Sequence, residues 1–219
     1  MKQRKLLSAL ISFCVGITYI NAQTVMDADS NIYTSVTIGK QIWLAENLKT
    51  TKYNDGKVIP LVSADRVWKE LETPAYCWFN NDISNKEDLG ALYNWYAVNT
   101  KKLCPKGWHV PTKAEWVTMI IFLGDENTAG AKLKESGTEH WKNSIIISTN
   151  EFGFTALPGG LRMKVGTFPE FGTSYAVWWT ATDYDQVAAW NRGLFFNSSN
   201  VYGGFDNKKN GFSVRCIHD

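Results

Sequence analysis

Two short blocks constrain this chain more than any other feature. They are Leu103-Cys104-Pro105-Lys106-Gly107-Trp108-His109-Val110-Pro111 and, near the end, Gly211-Phe212-Ser213-Val214-Arg215-Cys216-Ile217-His218. Each carries one cysteine in a turn-plus-strand setting, and the two cysteines stand 112 positions apart. A bond between those sulfurs would cross-link most of the chain, and such bonds persist in oxidising compartments. The N-terminus points to the same compartment. Lys2, Arg4 and Lys5 form a basic region, Leu6 to Ile20 is apolar, and the small residue Ala22 closes the run. That is the layout of a secretory signal peptide over residues 1–22, with cleavage expected after Ala22. The apolar run falls short of the roughly 20 residues a membrane helix needs. It also contains Ser8, Ser12 and Thr18, so an uncleaved anchor is the weaker alternative. Lipidation at Cys14 is disfavoured because Phe13, not a small residue, precedes it. No membrane span is expected after cleavage.

Removing residues 1–22 takes away three basic residues and no acidic ones, which moves the formal charge from +2 to −1. The apparent basicity belongs to the export signal, and a near-neutral domain without a basic stripe excludes nucleic acid as an expected partner. About 197 residues remain, enough for one domain with a real core. Ten Trp, nine Tyr and eleven Phe are many beside four Met. Rigid aromatic rings serve both loop-rich cores and ligand-binding faces. Seventeen Gly and frequent Asn, Asp and Ser clusters predict long ordered loops and short strands.

Thr24 to Ser30, within residues 23–31, reads as a short polar lead. Ile32 to Ile38 alternates in period two, turns at Gly39-Lys40 and continues as Gln41-Ile42-Trp43-Leu44, a β-hairpin signal. A short helix is expected near Ala64 to Leu71 and a short strand over Ala75 to Phe79. Leu92, Trp95 and Tyr96 predict a helix over Gly90 to Val98. Thr112 and Glu115 form a capping-box signature, followed by a buried stripe of Trp116, Met119, Ile120 and Leu123 that Gly124-Asp125 stops. Another short helix is expected over Thr128 to Lys134. Phe152 to Gly160 must contain a tight turn. Val177 to Thr182, Ala188 to Phe196 and Gly211 to Ile217 are the expected late strands, with turns at Asn197 to Asn200 and Asp206 to Asn210. Helices early and a meander late give an α+β domain.

Six blocks in order now carry a resemblance. They are Gln41-Ile42-Trp43-Leu44-Ala45-Glu46-Asn47-Leu48, Leu92-Tyr93-Asn94-Trp95-Tyr96-Ala97, Cys104 to Pro111 with Glu115-Trp116, Gly153 to Gly160, Trp178 to Thr182, and Gly211 to Cys216. Together they resemble the Fibrobacter succinogenes major paralogous domain family over residues 32–219. The resemblance implies a relative of the formylglycine-generating-enzyme and C-type-lectin-like folds: small antiparallel sheets, two or three helices and long ordered loops. It also implies an exported protein of Bacteroidetes or related bacteria, whether periplasmic, secreted or at the cell surface. Formylglycine-generating enzymes use a nearby cysteine pair to hold copper and activate oxygen. Here the cysteines beyond the signal are Cys77, Cys104 and Cys216, and the pair best placed to meet reads as a structural staple, so that activity is not carried over.

Three cysteines leave one over. Cys104–Cys216 is the preferred disulfide, since both blocks resemble edges of one small sheet. Cys77, in an aromatic strand, is expected to be a buried thiol; an intermolecular disulfide or a reactive thiol is the alternative reading. His109, His140 and His218 are too scattered for a recognisable metal motif, and His109 between Trp108 and Val110 reads as a hydrogen-bonded structural histidine. Asp183, Asp185 and Asp206 fit no defined calcium loop. No GxSxG, P-loop or dinucleotide fingerprint occurs, and nothing selects a glycosidase carboxylate pair. No cofactor or metal is therefore expected.

Surface recognition remains. Trp141, Tyr184, Trp190 and Tyr202 fall in or beside the late loops, where a C-type-lectin-like domain would present ligand contacts; core packing is the competing reading for each. The expected function is a non-catalytic binding or adhesion module outside the cytoplasm, with a glycan or a surface protein as partner. The alternatives are an enzyme on the same fold, or a structural envelope subunit assembling through strand edges.

Overall fold

Short alternating segments set between glycine and asparagine turns pair locally and then meet over long distances. A computed structural model describes residues 24–142, 144–170 and 174–219. The signal-peptide segment, residues 1–22, lies outside the described residues. Strand β2 (Ile32–Ile38) turns at Gly39 into β3 (Gln41–Leu44), and the hairpin register sets Val36 opposite Trp43. Helix α1 (Asp65–Glu70) precedes β4 (Tyr76–Trp78), α2 (Lys86–Leu89), β5 (Ala91–Tyr93) and α3 (Trp95–Val98). Then come β6 (Trp108–His109), α4 (Lys113–Phe122) and α5 (Ala129–Leu133). The C-terminal part holds β7 (Tyr175–Asp183), β8 (Ala188–Phe195), β9 (Tyr202–Asn207) and β10 (Ile217–His218). This is a mixed α+β architecture of small antiparallel sheets and few short helices.

Three expectations are corrected. The polar lead contains β1 (Thr24–Met26), which pairs with β2, because Asp27 staples the connecting turn. Its carboxylate accepts from the Asp29 and Asn31 backbone N–H groups and from the Tyr33 hydroxyl at 2.7 Å. The single helix expected over Gly90 to Val98 is a strand and a separate helical turn. Gly90 stands at φ 75°, Tyr93 pairs with Tyr76, and Asn94 Oδ1 accepts from the Ala97 N–H to start α3 afresh. Leu92, Tyr93 and Trp95 are all buried, and a segment buried on both sides shows no period that separates helix from strand. The third strand of the late meander is β9, not Gly211 to Ile217. Residues 211–217 instead cross the domain centre, with Phe212 bridging to Tyr93, Ser213 to Trp178, and Ile217 lying between Trp43 and His109.

The last strand thereby closes a five-stranded sheet in the order β1-β2-β3-β10-β6. Cys216 sits just before β10 and Cys104 just before β6, and they are joined, with Cα atoms 6.0 Å apart. The expected staple is present. Beside it lies an aromatic core in which Trp43 meets Trp116 at 5.1 Å and Trp116 meets Trp178 at 5.8 Å. The Arg215 guanidinium stands 4.1 Å from the Phe154 ring, fully buried, and donates to the Phe154 carbonyl and to Asn47 Oδ1. Asn47 Oδ1 also accepts from Trp178 Nε1 at 2.8 Å, so one amide organises three distant segments.

Candidate functional site

Strands β7, β8 and β9 form an antiparallel meander whose side chains alternate between its two faces. On one face the register sets Tyr175 beside Phe195, Val177 beside Gly193, Gly193 beside Tyr202, and Asn191 beside Gly204. Gly193 and Gly204 carry no side chain, so bare backbone forms a floor between an aromatic wall and a polar one. The resulting trough holds about 740 Å³ and is closed further by Leu161, Met163, Lys164, Val165 and Phe212. In the aromatic wall Tyr175 meets Phe195 edge-on at 4.9 Å, and Phe195 meets Tyr202 at 4.6 Å. Such edge-to-face contacts hold the rings in place.

The polar wall is held as firmly. Asn191 Nδ2 donates to Asp206 Oδ2 at 2.8 Å, and Asn210 Nδ2 donates to Asp206 Oδ1 at 3.3 Å. The Lys164 N–H donates to Asn210 Oδ1 at 2.7 Å, tying the 161–165 segment to the same wall. Burial pushes the Asp206 carboxyl above the usual aspartate range, against the opposing pull of the Asn191 bond. Asp206 is the one carboxylate among the described residues lining the trough. The chemistry on offer is therefore apolar contact plus directional amide, carboxyl and ammonium hydrogen bonding.

The four residues expected to form a ligand surface do not come together. Tyr202 belongs to the trough wall and is 42% exposed. Tyr184 and Trp190 lie on the opposite face with Phe205, where Tyr184 stacks on Phe205 at 3.8 Å and the Lys113 ammonium stands 3.3 Å from the Trp190 ring centre. Trp141 is a correction. It is fully buried, donates from Nε1 to the Ala156 carbonyl at 2.7 Å, and packs in the core around α5. Its polar neighbours Glu139, His140 and Lys142 made a core ring look like a loop residue. Sequence reasoning missed Tyr175, Asn191, Phe195 and Asp206. The period-two spacing of Asn191, Gly193 and Phe195 was the available signal, since a glycine inside a strand marks close approach.

Other reactive groups have structural partners. Cys77 is buried, and burial pushes its thiol up to about 12 despite nearby Arg162, which makes it an inert thiol at neutral pH. Asp183 pairs with Lys208 at 2.7 Å, and Asp185 accepts from the Val187 and Ala188 N–H groups, so neither joins Asp206 in a cation loop. His109 is a bonded structural histidine, with Nδ1 2.7 Å from Asp219 Oδ1 and Nε2 2.9 Å from Glu115 Oε1. Glu135, Glu139 and His140 are the one group among the described residues whose donors gather within 4.8 Å as metal ligands would. His140 Nδ1 lies 2.9 Å from both Glu135 carboxylate oxygens, and this pair fastens the loop by itself.

The geometry can now be set beside known families. The family model of the Fibrobacter succinogenes major domain matches residues 36–218. This chain belongs to that family. The major domain thus runs from within β2 to β10, and it takes in both bonded cysteines and the whole trough. No curated protein and no solved structure matches the chain. The bond between Cys104 and Cys216 is of the kind that persists in oxidising surroundings and suggests an extracytoplasmic protein. No helix among the described residues of the major domain is long and apolar enough to cross a membrane.

Proposed function

We propose that this major domain is an exported, non-catalytic recognition module, lectin-like in fold, whose β7–β9 trough seats a glycan. The observation that carries the reading is the composition of the trough: Tyr175, Phe195 and Tyr202 face Asn191, Asp206 and Asn210 across a floor of Gly193 and Gly204. A sugar ring presents an apolar face and an equatorial fringe of hydroxyls. Rings and methylenes match the first, and paired amide and carboxyl groups match the second. The glycine floor lets a flat ring approach the backbone. Hydrolysis of a glycosidic bond calls for two carboxyl groups flanking it, and Asp206 stands without a second one in the described lining.

The test is a glycan array together with a pull-down on the oxidised protein lacking residues 1–22, run beside a broad hydrolase panel. The reading expects retention of at least one glycan class and no turnover. Turnover of a substrate without glycan retention would replace it with the enzyme reading.

A further inference from the structure

Strand β9 is the edge of its sheet, and its Tyr202 to Asp206 backbone pairs with β8 alone among the described residues. Edge strands in soluble proteins are blunted by lysine, proline or a bulge, because open N–H and C=O groups invite pairing. The β9 sequence, Tyr202-Gly203-Gly204-Phe205-Asp206-Asn207, carries neither lysine nor proline, and its pairing with β8 runs without a register shift. Phe205 is 50% exposed. A second observation lies underneath. Arg192 of β8 is 3% exposed, forms no side-chain hydrogen bond among the described residues, leaves its buried Nε without an acceptor, has Glu126 as its nearby opposite charge, and lies across Gly203. A Cβ on Gly203 would come within 2.0 Å of Arg192 Nη1, so the guanidinium occupies the space a side chain would take. The Nε beneath this edge is a buried donor without an acceptor.

We propose that β9 pairs antiparallel with β9 of a second copy of this chain, about a two-fold axis at Gly204. An antiparallel strand pair has its two-fold axis at a residue pair, so the register follows from the sequence. Centred on Gly204, it sets Gly203 opposite the partner's Phe205, and Tyr202 opposite the partner's Asp206. On one face each phenylalanine ring lies across from the partner's Gly203, against the Nη1 end of the partner's Arg192 that covers that glycine, a cation–π contact. On the other face each tyrosine meets a carboxyl, and the two Asp206 side chains stay four positions apart. The strand is thus complementary to itself. The result is a six-stranded sheet whose two troughs run together, with the partner's Tyr202 and Asp206 extending each one. This inference does not need the glycan reading. If both hold, the dimer binds a repeating polymer at two linked sites, with apparent affinity raised on the order of 10²-fold over one site.

Sedimentation equilibrium on the oxidised protein without residues 1–22 reads the mass directly. The expected result is twice the chain mass, falling to one chain mass in Phe205→Lys, which sets a cation against Arg192 at the edge. Gly204→Cys supplies a measurement independent of that variant. A Cβ there meets only the Asn191 amide, Oδ1 at 3.4 Å and Nδ2 at 4.0 Å, so the fold tolerates it, and oxidation should link the two copies through residue 204. A wild-type monomer at high concentration, with no linkage in Gly204→Cys, would overturn the proposal. So would a dimer unaffected by Phe205→Lys and not linked through residue 204, or a monomer that adds an extended peptide at β9.

Discussion

A guanidinium in a core is costly to the extent that its donors lack acceptors. Arg215 is fully buried, and burial lowers its pKa to about 9, so it stays charged at neutral pH. Asn47 is the residue that makes this possible, because its one amide serves Arg215, Trp178 and the Leu89 carbonyl. Asn47→Ala is expected to cost about 3–5 kcal/mol in urea unfolding, since it removes one acceptor from a buried charge, which keeps the Phe154 carbonyl, and leaves two further buried polar groups without their partner. A loss below about 1 kcal/mol would remove Asn47 from that role. None of this was legible in the sequence. Phe212, Val214 and Cys216 alternate with Ser213 and Arg215, a pattern that puts Arg215 on a wet face. In the fold both faces are covered, and Arg215 points inward. His109 carries a pH dependence. Burial alone would lower its pKa, but the bonds to Asp219 and Glu115 outweigh it and raise the value above the ordinary histidine range. A raised folded pKa contributes stability that is fully present below the unfolded value near 6.5 and is lost as pH rises through the folded value. Unfolding free energy should therefore fall as pH rises past the unfolded value near 6.5. That slope should flatten in His109→Gln.

Elements with a local chemical signature were legible. Thr112 Oγ1 accepts from the Glu115 N–H, and Glu115 Oε2 accepts from the Thr112 N–H at 2.7 Å, as the capping-box spacing predicted for α4. Thr112→Ala should cost about 1 kcal/mol, measured by chemical denaturation. The β2–β3 hairpin was legible for the same reason, a turn signal between two alternating runs. Elements set by distant contacts were not. The break at Gly90 depends on φ 75° and on Asn47, whose Cβ would lie 2.8 Å from a Cβ at residue 90. Gly90→Ala should therefore destabilise by about 3 kcal/mol through backbone strain and crowding together. A neutral effect would show that β5 and α3 could merge after all. Strand β9 escaped because Tyr-Gly-Gly-Phe-Asp-Asn has the composition of a turn, and only the β8 partner makes it a strand.

At the scale of the whole molecule, the disulfide joins the segment before β6 to the segment before β10, and with it an early strand pair to the end of the chain. On a chain-entropy model a loop of this length stabilises by about 4–5 kcal/mol. Replacing Cys104 and Cys216 together by Ala should remove about 3–5 kcal/mol of unfolding free energy, and a negligible change would show that the sheet closes without the bond. The pairing was legible because both cysteines sit in strand-like blocks; the trough was not, because it is assembled by the register of three strands and the 161–165 segment. The most direct test of the recognition account is a binding titration of a retained glycan against three variants. Tyr202→Ala and Asn191→Ala should each weaken binding about tenfold, the scale of one lost ring contact or hydrogen bond. Tyr184→Ala, on the far face of the sheet, should leave affinity unchanged. Full affinity in both trough variants with loss in Tyr184→Ala would contradict the account.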